Sequence, residues 1–144
     1  TYNALDLALD NLNNELYKER MTEYQGEKRE NAVNFIELNL MTAQTIDLID
    51  PDGNTDTQKV EANLQQISQR ISKLQPGTTS ETQNAVREYQ DAVKEFVAEA
   101  RNYIIINSSY GEAYTQLFIK YNKMISKANA INMADLDVTE KNKK

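Results

Sequence analysis

The sequence contains no cysteine, no histidine and no tryptophan, and only two prolines and four glycines among its 144 residues. Each absence closes a class of function. Without cysteine there is no disulfide framework, no thiolate nucleophile and no zinc–sulfur centre. Without histidine there is no Ser-His-Asp triad and no Glu-x-x-His pair of the di-iron helix bundles. Catalysis would have to rest on carboxylates or lysine. The available carboxylate pairs, Glu15 with Glu19 and Glu23 with Glu27, sit one turn apart on an acidic stretch, where such pairs are ordinary surface features. The chain is therefore expected not to be an enzyme and to carry no cofactor. A net charge of −6 and a pI near 4.7 lack the basic face that a nucleic acid requires, so no nucleic-acid partner is expected. No apolar run approaches the roughly 20 residues of a membrane span. The first residue is Thr1 rather than Met, which gives the expectation of a piece cut from a longer protein.

What is present is helical periodicity. Strong breakers cluster at residues 50–55 and 75–80, the latter reading "QPGTTS". Before the first cluster, Leu5, Leu9, Leu12 and Leu16 form a seam at alternating steps of four and three. Val33, Ile36, Leu40 and Ala43 resume it, flanked by Phe35, Leu38, Ile46 and Ile49. Between them, "YKERMTEYQGEKREN" (17–31) is nearly all polar. It reads as a solvated stretch, or as a polar pocket or signalling joint around Gly26, because glycine weakens a helix by about 1 kcal/mol relative to alanine. Val60, Leu64, Ile67, Ile71 and Leu74 define a second seam.

The third seam starts after a capping box, Ser80 with Gln83. It runs through Val86, Tyr89, Val93, Phe96, Ala100 and Tyr103, then on through Asn107, its one polar member, and Tyr110, Tyr114, Leu117, Tyr121, Met124, Ala128 and Ile131. Periodicity alone makes this one helix of about 50 residues. A second capping box at "SYGE" (109–112), after the strand-favouring "YIII" (103–106), argues for a break near residues 107–110. The polar tail from residue 137 is expected to fray. The expected fold is all-α: a single domain over residues 1–144, an antiparallel up-down-up-down four-helix bundle with a long first helix. The helices are placed at about 2–49, 56–74, 81–107 and 109–136.

"DPDGNTDTQKVE" (50–61) has oxygen ligands at the spacing of an EF-hand loop: Asp50, Asp52, Asn54, Asp56 and Glu61. Two features oppose calcium. Thr55 stands where the sharp turn calls for glycine, and Thr57 stands where paired loops place an apolar residue. The favoured reading is a helix–helix turn built on Pro51, Gly53 and Asn54, with Asp56 as the cap of the next helix.

The layout resembles the four-helix-bundle extracytoplasmic ligand-binding (sensor) domain of bacterial methyl-accepting chemotaxis proteins. "NLNNELYKERM" (11–21) is similar to that family's "Asn-x-Leu … Tyr-x-x-Arg" stretch. "VREYQDAVKEFVAEARNYIIINSSYGEAYTQLF" (86–118) follows its "aromatic-x-x-Ala … Gly loop … Glu-Ala" rhythm. The related helical bimodular sensor domain is a similar match over residues 30–100. The resemblance implies a periplasmic domain of an inner-membrane receptor, attached to the membrane through flanking segments. It implies a homodimer that binds a small-molecule ligand or a periplasmic binding protein and passes the signal on by displacing the fourth helix.

In the aspartate-type receptors, arginines in the distal third of the first helix grip the ligand. The matching window here, residues 38–47, holds Asn39, Thr42, Gln44 and Thr45 and no arginine, so a dicarboxylate clamp is missing and a neutral ligand or a protein partner fits better. The candidate ligand-binding set is Asn39, Thr42 and Thr45 with Arg101, Tyr110 and Tyr114. The competing reading keeps the bundle and drops the ligand: a sensor-kinase stalk, surface adhesin or secreted helical protein using the Tyr103-to-Met124 seam as an interaction surface.

Overall fold

The computed structural model describes residues 29–50, 54–106 and 111–137. The expected helix over 2–28, Asp52 in the turn, Tyr110 and the Ser109 capping box lie outside the described residues. Four α-helices are found among those described: α1 (Glu30–Leu48), α2 (Thr57–Ser72), α3 (Ser80–Ile106) and α4 (Gly111–Asn129), followed by a 3-10 turn (Met133–Asp135). They form an all-α, up-down-up-down four-helix bundle.

Cross-helix contacts give the directions. Glu37 and Asn34 of α1 meet Arg70 of α2, while Asn31 meets Gln75 beyond it, so α1 and α2 are antiparallel. Lys120 and Lys123 reach Glu95 and Lys127 reaches Glu88, so α3 and α4 are antiparallel too. Phe35 packs on Tyr89, and Asp50 receives the Tyr103 hydroxyl, so α1 runs parallel to α3.

Three helix seams are buried where periodicity places them. Val60, Leu64, Ile67, Ile71 and Leu74 of α2 are buried, as are Val86, Tyr89, Val93, Phe96, Ala100 and Tyr103 of α3. On α4, Leu117, Met124 and Ala128 are buried, with Tyr114 and Tyr121 half-buried beside them. The rings of Tyr103, Tyr114, Phe118, Tyr121 and Phe96 follow one another along the α3–α4 interface at centroid spacings of 6.2, 4.9, 6.3 and 5.7 Å. Those are favourable separations for edge and tilted ring packing.

The seam of α1 is shifted from the expected one. Its buried residues are Asn31, Ala32, Phe35, Ile36, Leu38, Thr42, Thr45, Ile46 and Ile49, so Ile36 of the expected seam is buried while Val33, Leu40 and Ala43 are only half-buried. The shift is possible because the buried polar members satisfy their own groups. The Thr42 hydroxyl donates to the Asn39 carbonyl at 2.9 Å, and that of Thr45 to the Met41 carbonyl at 2.7 Å. Bonding back onto the helix leaves each threonine presenting its methyl group to the core.

Helix ends also move. The Arg29 backbone (φ −95°, ψ 67°) is outside helical geometry, so α1 starts at Glu30. The cap of α3 is Thr79, not Ser80: its Oγ1 accepts the Thr82 N–H at 3.1 Å. Gln83 turns away to donate to the Gly77 carbonyl at 3.4 Å. Asp56 caps α2 as expected, accepting the Lys59 N–H at 3.2 Å. The fourth helix, expected to residue 136, ends at Asn129. Asn132 then accepts the Ala134 N–H on its side chain at 3.1 Å, a local bond that competes with helix continuation.

Tyr89 sits at the centre of the core, fully buried, and donates its hydroxyl to Asn39 Oδ1 at 3.1 Å. Burial pushes its phenol far above the ordinary value, and the nearby Tyr121 adds to the shift. A phenol whose pKa is raised by folding leaves stability unchanged below the unfolded value of ~10 and removes it as pH rises above that point. Stability in urea is therefore expected to fall steeply above pH ~10 in the parent and less steeply in Tyr89→Phe. Equal slopes in the two proteins would show that Tyr89 is not the group responsible.

Candidate functional site

Two open grooves are formed among the described residues. The first, about 500 Å³, lies between the start of α2 and the end of α3 and is lined by Gln58, Glu61, Ala62, Gln65, Ile104 and Ile105. Its floor is aliphatic and its rim carries amide side chains. Glu61 is held by Arg101, whose Nε lies 3.2 Å from Oε1 and 3.4 Å from Oε2. That pair is about 40% exposed on both sides, so it organises the rim more than it stabilises the fold. Ile105 is 78% exposed, an apolar surface at the lip of the groove.

The second groove, about 430 Å³, lies between α1, α2 and the segment after α4. Its walls include Glu30, Asn34, Glu37, Arg70, Lys73 and Asp137. Arg70 pairs with Glu37, and Asn34 Nδ2 donates to the Arg70 carbonyl at 3.1 Å. Its charges are mixed and mostly used within the protein.

The residues singled out from sequence separate into three environments. Thr42 and Thr45 are wholly buried core residues, and Asn39 is half-buried with its Oδ1 taken by the Tyr89 hydroxyl; none of the three lines either groove. Tyr114 belongs to the ring series at the α3–α4 interface. Arg101 sits beside the first groove through its pairing with Glu61, which lines that groove and is the last position of the calcium-like spacing. In the same stretch Asp56 caps α2. Asp50 uses its backbone to take the Tyr103 hydroxyl at 3.1 Å and to donate its N–H to Thr55 Oγ1 at 2.8 Å. Asn54 is exposed. Among the described residues, no three acidic side chains converge as a metal site would require.

Periodicity missed the Gln58–Gln65–Ile105 groove because its members sit outside every apolar seam. Two adjacent isoleucines, only one of them able to face the core, were the available signal. Comparison with family models, with curated proteins and with solved structures gives no match. No helix among the described residues is long and apolar enough to cross a membrane.

Proposed function

We propose that this bundle is the ligand-binding, sensory domain of a bacterial transmembrane chemoreceptor, periplasmic and dimeric, passing ligand occupancy onward by displacement of its last helix. One observation carries the reading. The start of α1 and the segment following α4 lie side by side at one end of the bundle, with the Asn31 N–H 3.1 Å from Asp137 Oδ1. A sensor held between two membrane segments needs both connections to leave from the same end. A shift between them is then a mechanical output.

The α2–α3 groove is the proposed ligand site. Its ionic pair is already matched and its walls are amide and aliphatic, which suits a neutral amphiphilic ligand rather than a dicarboxylate. A thermal-shift screen of amino acids, organic acids and nitrogen bases tests this. A compound at 100 times its Kd should add about 2.7 kcal/mol, and Ile105→Asp should abolish the gain. Absence of a shift with every compound would count against a direct small-molecule site.

A second reading, a protein-interaction bundle, is favoured by the exposure of Ile105 (78%) and Ile119 (51%). The two separate on paired results: a compound that stabilises the parent and not Ile105→Asp supports the ligand site, whereas self-association lost in Ile105→Asp by sedimentation, with no compound shifting the parent, supports the interaction surface.

A further inference from the structure

At the end of the bundle where the two connections meet, residues 131–137 cross from α4 to α1 and are held at three separate points. Asn31 Nδ2 of α1 donates to the Leu136 carbonyl at 3.0 Å, and Arg29 donates to the Met133 carbonyl. The Thr78 N–H and hydroxyl, in the α2–α3 turn, donate to the Asp135 carbonyl at 2.8 and 3.0 Å, and the Thr82 hydroxyl donates to the Asp135 carboxylate at 3.2 Å. Asp137 closes the crossing: its carboxylate oxygens accept the Asn31 and Ala32 N–H groups at 3.1 and 2.7 Å. Those are orphan donors of the first turn of α1, whose preceding residue Arg29 provides no side-chain cap. A carboxylate there also meets the positive end of the helix dipole. The α1 helix is thus capped by a residue more than a hundred positions later in the chain.

The turn beneath the crossing is shaped to admit it. Gly77 has φ +95°, and a Cβ there would lie 2.7 Å from Thr82 Cγ2 and 2.9 Å from the Asp135 carbonyl oxygen. The crossing buries Ile131 and Leu136 and half-buries Met133 against the core. Its attachment is otherwise polar, with only single turns of backbone bonding. Segments with few buried apolar contacts open at lower free energy than a helical core.

We propose that residues 131–137 form a latch that opens as a unit, uncapping α1 when it leaves, so that the chain beyond Asp137 and the start of α1 read each other's position. The contacts make the coupling reciprocal: loosening α1 frees the latch, and pulling the latch frays α1. This latch rests on the sensory reading only for its purpose; its mechanics stand without a ligand.

Hydrogen exchange on the full chain tests it. Asp137→Asn keeps the size of the side chain and weakens the cap. It is expected to speed exchange of the Asn31, Ala32 and Thr78 amides about tenfold, with the centre of α3 around Val93 unchanged. Gly77→Ala acts from the other side of the latch and is expected to speed the same Asn31 and Ala32 amides. If Gly77→Ala does not fold, Thr82→Val serves in its place. The latch is overturned if the remote substitution leaves Asn31 and Ala32 unmoved, or if the amides around Val93 speed up equally, since the segment would then open only with the whole bundle. A failed ligand screen with these exchange results intact would count against the direct small-molecule site and leave the latch.

Discussion

Replacing Phe96 by alanine is expected to lower the unfolding free energy by about 3–5 kcal/mol. Phe96 is fully buried near the middle of α3 and packs on Tyr121 of α4 at a centroid distance of 5.7 Å. Truncation removes the largest apolar contribution at that level of the bundle and leaves a void that the flanking Val93 and Ala100, themselves fully buried, are too small to fill. The loss combines the transfer free energy of the ring with the cavity left behind. A domain of this size has roughly 5–15 kcal/mol in all, so the variant should be marginal at 37 °C. Urea unfolding followed by circular dichroism measures it, with Phe96→Leu as the milder comparison. A loss below about 1.5 kcal/mol for Phe96→Ala would mean that the α3–α4 interface collapses around the gap.

Replacing Asn31 by alanine is expected to cost about 2–3 kcal/mol, unusually large for a residue at the start of a helix. Its side chain donates to the Gln75 and Leu136 carbonyls, both at 3.0 Å, and accepts the Gln75 N–H at 2.9 Å. It is 7% exposed, so water cannot readily replace those bonds. Alanine leaves backbone groups from two other parts of the chain without partners, and an unsatisfied buried group costs more than a made bond contributes. Asn31→Asp should be at least as damaging, because it keeps the acceptor, loses both donors and sets a carboxylate beside two carbonyls and Asp137. Urea midpoints for the two variants provide the check. A loss under about 1 kcal/mol would show that the ends of the bundle rehydrate freely.

Asn31 also shows where reading from sequence stops. It fell in the polar stretch 17–31, which reads as solvated, yet it joins three segments of the bundle. Its partners are backbone groups, and backbone groups leave no mark in a sequence. Thr42 and Thr45 differ in the opposite sense. As hydroxyl residues near the end of the first helix they suggested a ligand window, and they are core. Their hydroxyls bond to their own helix, so at these positions threonine packs as valine would. The groove beside Ile105 was hidden because an exposed isoleucine breaks the pattern on which periodicity depends.

Other features were legible from local chemistry. Asp56 caps α2 because a short carboxylate before an amphipathic run can reach the third N–H of the helix. The chain reverses between α3 and α4, as their antiparallel ion pairs show, with α3 described to Ile106 and α4 from Gly111; the "SYGE" capping box that argued for a break there lies partly outside the described residues. The cap of α3 was displaced by one residue, from Ser80 to Thr79, because several hydroxyl residues in a row offer equivalent caps and only the packed turn selects one.

The sequence by itself determined the all-helical class, the α2, α3 and α4 seams and the turn between α2 and α3, since these follow from side-chain period and from backbone preferences acting over a few residues. Tertiary structure alone decided which face of α1 is core, which groove stays open, and that Asp137 caps a helix at the far end of the chain. Those outcomes depend on bonds between segments distant in sequence, whose partners are chosen only when the helices pack.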